Sequence, residues 1–289
     1  MDIATLQAFA AVADTGSFSR AAEALFLTQP AISKRIAALE TELGTPLFDR
    51  VARQVRLSPA GNALLPQARR ILNEVAEAKR RIANLSQRVA GPLTLGTSYH
   101  IGLHRLQPAL KAFYQAHPEV QLDLRFMDSE AASQAVEAGH LELAVITLPT
   151  AHNPALNSDS LWDDTLDIVV GHDHALARKK KCTLQTLADY PAILPVTGTA
   201  TREIILAALA PVRERLHISM ETNYLEVIKM LVSIGLGWSA LPHTLIDAEL
   251  KRVHINGVKI RRQLGIVTHA ARTLSNAAQA MIATVKQSR

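Results

Sequence analysis

Residues 16–50 constrain this fold more than any other segment, because they predict two short helices joined by a tight turn. Two consecutive alanines in the first predicted helix, at residues 19–24, allow another helix to approach its backbone closely. Thr28 is a favourable N-cap for the second helix, and Pro30 lies in its first turn, where a missing backbone N–H costs nothing. The segment therefore predicts a helix-turn-helix.

The predicted second helix has one apolar face and one polar face. Four aliphatic residues at a helical period form the apolar stripe: Ile32, Ile36, Leu39 and Leu43. The opposite face carries Gln29, Ser33, Lys34 and Thr41. Such a helix fits the major groove, where amide and hydroxyl groups pair with base edges and lysine reaches guanine acceptors. We therefore predict a DNA-reading helix, and an ordinary helical hairpin with solvated charges remains the alternative.

A two-stranded wing is predicted after the second helix. Gly44 and Pro46 end that helix, and residues 47–50 and 55–57 have the pattern of short strands. Arg53 lies near the turn between them, where an arginine can enter the minor groove of DNA. The wing would therefore add a second DNA contact.

Together with Phe9 and residues 58–61, this segment closely resembles the N-terminal domain of the LysR-type transcriptional regulators. The match is nearly continuous, although Phe26 stands where a small or polar residue is more frequent and Lys34 stands where arginine is common. The resemblance implies a winged helix-turn-helix that binds promoter DNA. The predicted DNA-binding residues are Ser17, Arg20, Thr28, Gln29, Pro30, Ser33, Lys34, Arg35, Arg50 and Arg53.

A long helix is predicted from its N-cap, Ser58, to a terminator at residues 90–92. Apolar residues alternate along it at spacings of four and three and form an a/d seam: Leu64, Ala68, Ile71, Val75, Ala78, Ile82 and Leu85. A small unit cannot bury so long a stripe alone. We therefore predict a homodimer formed through this helix, with packing against its own domain as the alternative. Two-fold symmetry would then predict a pseudo-palindromic DNA site.

The charge distribution fits a chain of two domains. The 289 residues suggest two domains at about 100–200 residues each. Residues 1–90 hold 12 basic and 8 acidic side chains, residues 91–250 hold 11 and 18, and the remaining residues hold 8 and none. A basic N-terminal module fits phosphate binding. The basic tail lacks stacking aromatic residues and is better explained as a solvated face.

Compartment signals favour the cytoplasm. The chain has no uncharged apolar run of about 18 residues, so we expect no membrane span. Its first residues have the spacing of a core-facing helix rather than of a signal peptide. With the single cysteine Cys182, an intrachain disulfide is excluded.

Beyond residue 90, strands and helices alternate, which predicts an α/β fold with a mostly parallel sheet. The predicted strands cover residues 93–97, 120–127, 143–146, 167–170, 192–194, 218–222, 238–241 and 265–269. The predicted helices cover residues 103–117, 130–139, 201–212, 224–234 and 275–287.

Resemblance to the LysR-type effector domain implies a two-lobed domain like that of periplasmic binding proteins, with crossings near Leu161 and Ile266. The resemblance implies a winged helix-turn-helix domain at residues 1–57, a dimerisation helix at 58–90 and an effector domain at 91–289. Lobe I would comprise about residues 91–161 with 266–289, and lobe II about residues 162–265.

A ligand would bind between such lobes, where strands end and helices begin. Hydroxyl groups and backbone N–H groups at helix starts favour an anion, so we predict a carboxylate-bearing effector. For each threonine, the alternative to ligand binding is that its hydroxyl only caps a helix N-terminus. The predicted effector-binding residues are Thr97, Ser98, Tyr99, His100, Asp128, Thr147, Thr197, Thr199, Thr201, Arg202 and Asn223.

Patterns for catalysis and metal binding are weak. All 11 histidines lie beyond residue 90, with no zinc-protease spacing, and His172 and His174 are better explained by a solvated loop than as a metal-ligand pair. Cys182 follows three lysines, which would favour a thiolate, but the chain has no second cysteine to resolve an oxidised thiol. We therefore expect no enzyme activity, no cofactor and no metal site.

The sequence thus predicts a transcription factor that binds promoter double-stranded DNA and is controlled by a small-molecule effector. It would be a homodimer or homotetramer, with RNA polymerase as a further partner. The main alternative is a solute-sequestering module whose helical N-terminus serves only assembly, and the next is a metabolic α/β enzyme. Deleting residues 1–57 would separate these alternatives, because a sequestering protein would keep its function and a regulator would lose DNA binding.

Overall fold

The computed structural model of the protein describes residues 1–51, 54–179 and 181–288. They form two compact units, Met1–Ser86 and Gln87–Arg289. The predicted wing tip, Ala52 and Arg53, lies outside the described residues, as does the side chain of Arg50.

The first unit is a winged helix-turn-helix. Its elements are, in chain order, α1 (Ile3–Thr15), α2 (Phe18–Ala24), α3 (Gln29–Leu43), β1 (Phe48–Val51), β2 (Gln54–Leu57) and α4 (Pro59–Asn84). Strands β1 and β2 pair as an antiparallel hairpin. In the core, the ring of Phe48 lies 5.4 Å from that of Phe9 and 5.9 Å from that of Phe18, between centroids. The predicted fold of this unit is confirmed.

The turn before α3 has a constrained backbone. Phe26 adopts a positive φ of 54°, and the residue is 96% exposed. The N–H of Leu27 closes the turn by donating to the carbonyl of Ala22 at 2.8 Å. Thr28 Oγ1 then accepts a hydrogen bond from Ala31 N at 3.4 Å and caps α3 as predicted. Because a bulky residue is strained at positive φ, the unusual Phe26 adds strain to this turn.

One residue of the predicted apolar stripe on α3 does not reach the core. The first three are buried, whereas Leu43 is 42% exposed. Gly44 ends α3 directly after it in the left-handed conformation, at φ 66°. The chain then turns back, and Leu47 fills the core in place of Leu43.

Helix α4 begins where it was predicted and ends earlier. Ser58 Oγ accepts a hydrogen bond from Gly61 N at 3.0 Å, and Pro59 is the first helical residue. The helix ends at Asn84 rather than near residue 90, and Gln87 beyond it has a positive φ of 54° that an α-helix does not contain. No described helix, α4 included, is long and apolar enough to cross a membrane.

Within its own unit, the seam on α4 is covered at one end only. Ala68 is buried in the core, and Leu64 and Ile71 pack against that core. Farther along, Ile82 is 71% exposed and Leu85, just past the helix, is 82% exposed. Dimerisation through this helix stays a prediction, and the uncovered half of the seam is the surface that would mediate it.

The second unit alternates strands and helices, which confirms the predicted α/β class. Its elements are, in chain order, β3 (Gly91–Thr97), α5 (Tyr99–His104), α6 (Gln107–Ala116), β4 (Val120–Phe126), α7 (Ser129–Ala138), β5 (Leu143–Thr147), β6 (Leu156–Gly171), α8 (Leu184–Ala188), β7 (Ala192–Leu194), α9 (Ala200–Ala208), β8 (Ile218–Glu221), α10 (Leu225–Ser233), β9 (Ser239–Pro242), β10 (Leu250–Arg252), β11 (Ile260–His269) and α11 (Asn276–Gln287). Short 3-10 helices cover Ala175–Arg178, Ala210–Arg215 and His243–Leu245.

Two long antiparallel strands, β6 and β11, run from one lobe to the other. In lobe I the sheet continues from β11 through β5 and β3 to β4, and β3 is parallel to both of its neighbours. In lobe II, β9 and β10 pair with the far half of β6, and β7 and β8 form a separate parallel pair. The two-lobed architecture is therefore confirmed, with β6 and β11 as the crossings. The prediction of a mostly parallel sheet is wrong, because β11 pairs antiparallel with both β5 and β6, and β9 and β10 pair antiparallel with β6.

Each lobe has its own hydrophobic core. The core of lobe I includes Phe113 on α6 and Met281 on α11. The core of lobe II is built around Trp238, whose indole Nε1 donates to the carbonyl of Tyr190 at 3.1 Å. Separate cores allow the lobes to move against each other as rigid bodies about the crossing strands.

Prolines divide two helices that were predicted as continuous. The helix predicted at residues 103–117 is split into α5 and α6, with Pro108 in the first turn of α6. The helix predicted at residues 201–212 ends with α9, and Pro211 lies in the first turn of the 3-10 helix that follows. Proline lacks the N–H that a continuous helix requires at these positions.

The strand predicted at residues 167–170 is the end of the 16-residue strand β6. The first half of β6 is mostly polar and exposed, so it lacks the apolar alternation that indicates a strand. Backbone pairing with β11 determines its conformation instead.

We expect Gly265→Ala to destabilise the second unit by about 1–3 kcal/mol, because a methyl group there overpacks the crossing strands. A Cβ atom at residue 265 would lie 2.2 Å from the carbonyl oxygen of Asp159, where the register of β6 and β11 shifts. Urea unfolding measures the loss. The control is Ser158→Ala, an exposed change on the same segment that adds no atoms. Equal stability of both variants would contradict this account of the crossing.

Candidate functional site

The outward face of α3 carries polar side chains available to a ligand. Thr28, Gln29, Pro30 and Lys34 are exposed at its N-terminal half, and Ser33 is half-buried. Gln29 Nε2 donates to Ser33 Oγ at 2.8 Å, across one helical turn. This hydrogen bond restricts the rotamers of both side chains, which reduces the entropy lost when they contact bases.

Three other predicted DNA-binding residues have structural contacts within the first unit. Ser17 Oγ accepts from Arg20 N at 3.4 Å and caps α2. The Arg20 guanidinium donates to the carbonyl of Thr15, and Arg35 Nη1 donates to the carbonyl of Ala4 at 3.4 Å. In this conformation both arginines are held against their own unit, so a phosphate would have to compete with a carbonyl oxygen.

Side chains from both lobes line one cleft in the second unit. Lobe I provides residues from the starts of α5 and α7 and the end of β5: Ser98, Tyr99, His100, Asp128, Ser129, Glu130 and Thr147. The remaining wall consists of Pro195, Thr199, Thr201, Asn223, Leu225 and Arg262. Eight of the predicted effector-binding residues are among them.

The other three predicted effector-binding residues do not line this cleft. Thr97 is fully buried, and its Oγ1 donates to the carbonyl of Val145 at 2.8 Å. Arg202 Nη1 donates to the carbonyl of Pro195 at 2.9 Å and to Glu221 Oε1 at 2.6 Å, so it stabilises lobe II. Thr197 is exposed outside the lining.

Two hydroxyl residues of the cleft differ in whether their side chains cap a helix. Thr199 Oγ1 accepts from Arg202 N at 3.4 Å and donates to the carbonyl of Val196 at 2.9 Å, so its hydroxyl is used within lobe II. Ser98 occupies the N-cap position of α5, and its side chain makes no capping hydrogen bond. Its hydroxyl is therefore better placed than that of Thr199 to bind a ligand.

Sequence reasoning missed Arg262, the most buried charge of the cleft. Its Nε donates to Asp164 Oδ2 at 2.8 Å, and its Nη1 donates to Thr201 Oγ1 at 2.9 Å. The buried Nη2 has no hydrogen-bond partner among the described residues. The available signal was an arginine in the inward-facing phase of β11, between Ile260 and Leu264.

The charge on Arg262 is only partly balanced. The side chains of Arg262 and Asp164 are 4% and 2% exposed, and Arg105 Nη2 lies 3.4 Å from the other oxygen of Asp164. Burial lowers the pKa of the Arg262 guanidinium, and the adjacent Asp164 carboxylate opposes that shift. Two guanidinium groups thus share one carboxylate, which leaves positive charge at the base of the cleft.

Two contacts join the lobes across the cleft mouth. Glu130 Oε1 accepts from Ala200 N at the start of α9 at 2.7 Å. Asn223 Nδ2 donates to Asp128 Oδ2 at 2.9 Å. The acidic residues of the cleft therefore lie on the lobe I rim, and the Arg262 guanidinium lies at the base.

The pKa values of His100 and Cys182 in the second unit are also shifted. Burial, with the nearby charges of Arg262, His104 and Arg105, lowers the pKa of His100 to about 3, so its imidazole is neutral. Burial raises the pKa of the Cys182 thiol, and Lys179 opposes that shift only in part. A raised pKa disfavours the thiolate that a redox sensor requires.

Comparison with known proteins covers both units. A family model described as "LysR substrate binding domain" matches residues 86–289, and one described as "Bacterial regulatory helix-turn-helix protein, lysR family" matches residues 3–62. A relative from Cyanidioschyzon merolae, named "Probable RuBisCO transcriptional regulator", is 32% identical over 283 residues, which are 94% of this chain and 93% of the relative.

Solved structures share the fold over the whole chain. Full-length OxyR from Pseudomonas aeruginosa, in a cysteine-to-aspartate variant, superposes with a TM-score of 0.72 at 24% identity, covering 100% of this chain and 94% of the other. Full-length CbnR complexed with its target DNA superposes with a TM-score of 0.66 at 21% identity, covering 100% of both chains.

We expect Asp164→Asn to lower the free energy of unfolding by about 3 kcal/mol, because it leaves the buried guanidinium of Arg262 without its carboxylate. Thermal or urea unfolding measures the change. The matched control is Asp163→Asn, one residue away on the exposed face of β6, which should be close to neutral. Equal effects of the two variants would show that the buried pair is not what stabilises the crossing.

Proposed function

We propose a ligand and an output for this chain, which belongs to the LysR family of transcriptional regulators and combines a DNA-binding helix-turn-helix with an effector-binding unit. The ligand is a small molecule with a carboxylate or another anionic group, and it binds in the cleft between the lobes. The output is a change in how the regulator engages promoter DNA. The protein acts in the cytoplasm as a regulator rather than as an enzyme.

The observation that carries this proposal is the unpaired Nη2 of Arg262. A buried N–H donor without a partner is destabilising, and an anionic acceptor would satisfy it with a charge-assisted hydrogen bond. Thr201 Oγ1 accepts from the same guanidinium, which positions its hydroxyl beside the proposed anion. Ser98 lies on the opposite wall of the cleft. An anion held between these groups would contact both lobes.

The acidic residues of lobe I that line the cleft indicate which other groups the ligand carries. Asp128 and Glu130 line the same cleft as Arg262, and both accept hydrogen bonds from lobe II. Their carboxylates can accept equally well from hydroxyl or ammonium groups of a ligand. A molecule with an anionic group at the base and hydrogen-bond donors at the rim, such as a hydroxy acid or an amino acid, matches this distribution of charge.

Ligand binding would be coupled to DNA binding through lobe closure. A ligand that contacts both walls favours the closed arrangement by its differential affinity for that arrangement. In a homodimer formed through α4, or in a tetramer, closure would change the spacing of the two DNA-binding units and so their fit to half-sites. Contact with RNA polymerase is a further proposed route to the output. The similarity to CbnR, whose structure contains target DNA, supports DNA as the partner.

For the DNA claim, we expect Gln29→Ala to reduce discrimination between operator and random DNA by about 1–3 kcal/mol, because Gln29 would lose its contact with base edges. Gel-shift titration on a site selected from random DNA by the wild-type protein measures this. Gln7→Ala, an exposed change on α1, is the control. A uniform loss on operator and random DNA would contradict a base-reading role.

For the ligand claim, we expect Ser98→Ala to weaken binding of a selected carboxylic acid by about tenfold, and Arg262→Gln to weaken it more, because each removes a hydrogen bond to the anion. Calorimetry on the full chain measures both, and the control is Thr197→Val, outside the cleft. Ser98→Ala is the decisive variant, because the change at Arg262 also alters a buried ion pair. Unchanged affinity in Ser98→Ala and Arg262→Gln would overturn the proposed site.

A further inference from the structure

Two histidines and a glutamate from opposite lobes converge beside the cleft. His100 and His104 lie one helical turn apart on α5 in lobe I, and Glu226 lies in the first turn of α10 in lobe II. Glu226 Oε1 is 3.7 Å from His100 Nδ1 and 3.2 Å from His104 Nε2. All three ligand atoms lie within 4.8 Å of one another.

The distances from Glu226 Oε1 to the two imidazole nitrogens match the spacing of ligand atoms around a small metal ion. Zinc binds imidazole nitrogen at about 2.0–2.1 Å and carboxylate oxygen at about 2.0–2.2 Å in tetrahedral geometry, which puts neighbouring ligand atoms about 3.3 Å apart. The distances of 3.2 Å and 3.7 Å to Glu226 Oε1 bracket that value. Two histidines at positions i and i+4 present their rings on one helix face, so α5 provides two ligands without rearranging its backbone.

A second, independent observation comes from the ring of His100. Its side chain is only 4% exposed, and the buried Nδ1 has no hydrogen-bond partner among the described residues. The distance of 3.7 Å from Nδ1 to the Glu226 carboxylate is too long for a hydrogen bond. A buried polar atom without a partner in a folded protein calls for an explanation, and a bound ion between Nδ1 and the carboxylate provides one.

Thr244 offers His100 a hydrogen-bond partner on the side away from Glu226. Its Oγ1 lies 3.4 Å from His100 Nε2 and can accept from an Nε2–H or donate to an unprotonated Nε2. The tautomer that carries the proton on Nε2 leaves a lone pair on Nδ1, on the side of Glu226. Metal-binding histidines commonly donate their other ring N–H to a neighbouring oxygen in this way, which fixes the orientation of the ring. Without a cation, the Nδ1 lone pair and the carboxylate would face each other as two acceptors.

We propose that His100 Nδ1, His104 Nε2 and Glu226 Oε1 bind a divalent first-row transition-metal ion such as Zn²⁺, with water in the remaining position. Two imidazoles and one carboxylate suit this class and not Mg²⁺ or Ca²⁺, which require mostly oxygen ligands. The nearby guanidinium groups of Arg105 and Arg262 both contact Asp164, whose carboxylate offsets part of their repulsion of a cation.

The bound ion would link the two lobes. Two ligands belong to lobe I and one to lobe II, so the complete site exists only while α5 and α10 are close together. Metal binding would therefore favour the closed cleft and stabilise the second unit by mass action. The proposal goes beyond anion sensing and does not depend on it, because no ligand atom of the metal site is part of the proposed anion contact.

Cobalt(II) is the direct probe, because a four- or five-coordinate Co²⁺ site absorbs visible light far more strongly than the octahedral aqua ion. The full chain carrying Cys182→Ser, which removes the single thiol, is titrated with Co²⁺. We expect one equivalent to produce a strong visible band, and Zn²⁺ to displace it. His104→Ala and Glu226→Gln should each weaken that equivalent by at least about tenfold. Both side chains are partly exposed, so these variants should fold.

The controls are His152→Ala and Glu214→Gln, exposed changes outside the cluster that should leave the titration unchanged. Thr244→Val should weaken metal binding by about tenfold although all three ligands remain, because it removes the hydrogen bond that orients His100. If Thr244 did not orient His100, this variant would bind the metal as tightly as the parent. In thermal unfolding, Zn²⁺ should raise the Tm of the parent protein and not that of Glu226→Gln. The absence of a strong visible band, or equal titrations of the cluster and control variants, would reduce the cluster to an ordinary His–Glu ion pair and overturn the proposal.

Discussion

The buried ion pair between Arg262 and Asp164 is the interaction on which the effector unit depends. The two residues face each other in register on β11 and β6, the strands that cross between the lobes. Burying a charged pair is unfavourable unless its hydrogen bonds are nearly complete. Here one carboxylate oxygen accepts from Arg262, the other lies near Arg105, and a third bond joins Arg262 to Thr201 in lobe II.

The same pair places a cation where a ligand can use it. With Nε held by Asp164 and Nη1 held by Thr201, the guanidinium of Arg262, which lines the cleft, has a fixed orientation. A preorganised donor loses little entropy on binding an anion. The crossing strands and the proposed anion site therefore share one side chain, so a ligand bound at Arg262 would act where the two lobes join.

Local signals made the first unit predictable from sequence. The helix-turn-helix depends on neighbouring residues, namely the Thr28 cap, Pro30 and the aliphatic period of α3, and each acts over a few residues. Leu43 was predicted wrongly because Gly44 ends the helix and Leu47 takes its place in the core. The family resemblance supplied the two lobes, which periodicity alone does not indicate.

The missed features depend on contacts between distant residues. Arg262 and Asp164 are 98 positions apart, and His104 and Glu226 are 122 apart, so no motif of fixed spacing connects them. The polar first half of β6 is held in a strand by its partner rather than by its own composition. The eight cleft residues that were anticipated all lie at or just after strand ends or at helix starts. The order of elements along the chain can indicate these positions.

The central claim is that the cleft selects for negative charge through Arg262, and it is tested most directly by thermal unfolding of the full chain with matched ligand pairs. Each pair consists of a small carboxylic acid and its primary amide, which have nearly the same shape and differ in charge. The account predicts that some acids raise the Tm in a concentration-dependent manner and that their amides do not. Amides that raise the Tm as much as the corresponding acids would contradict it.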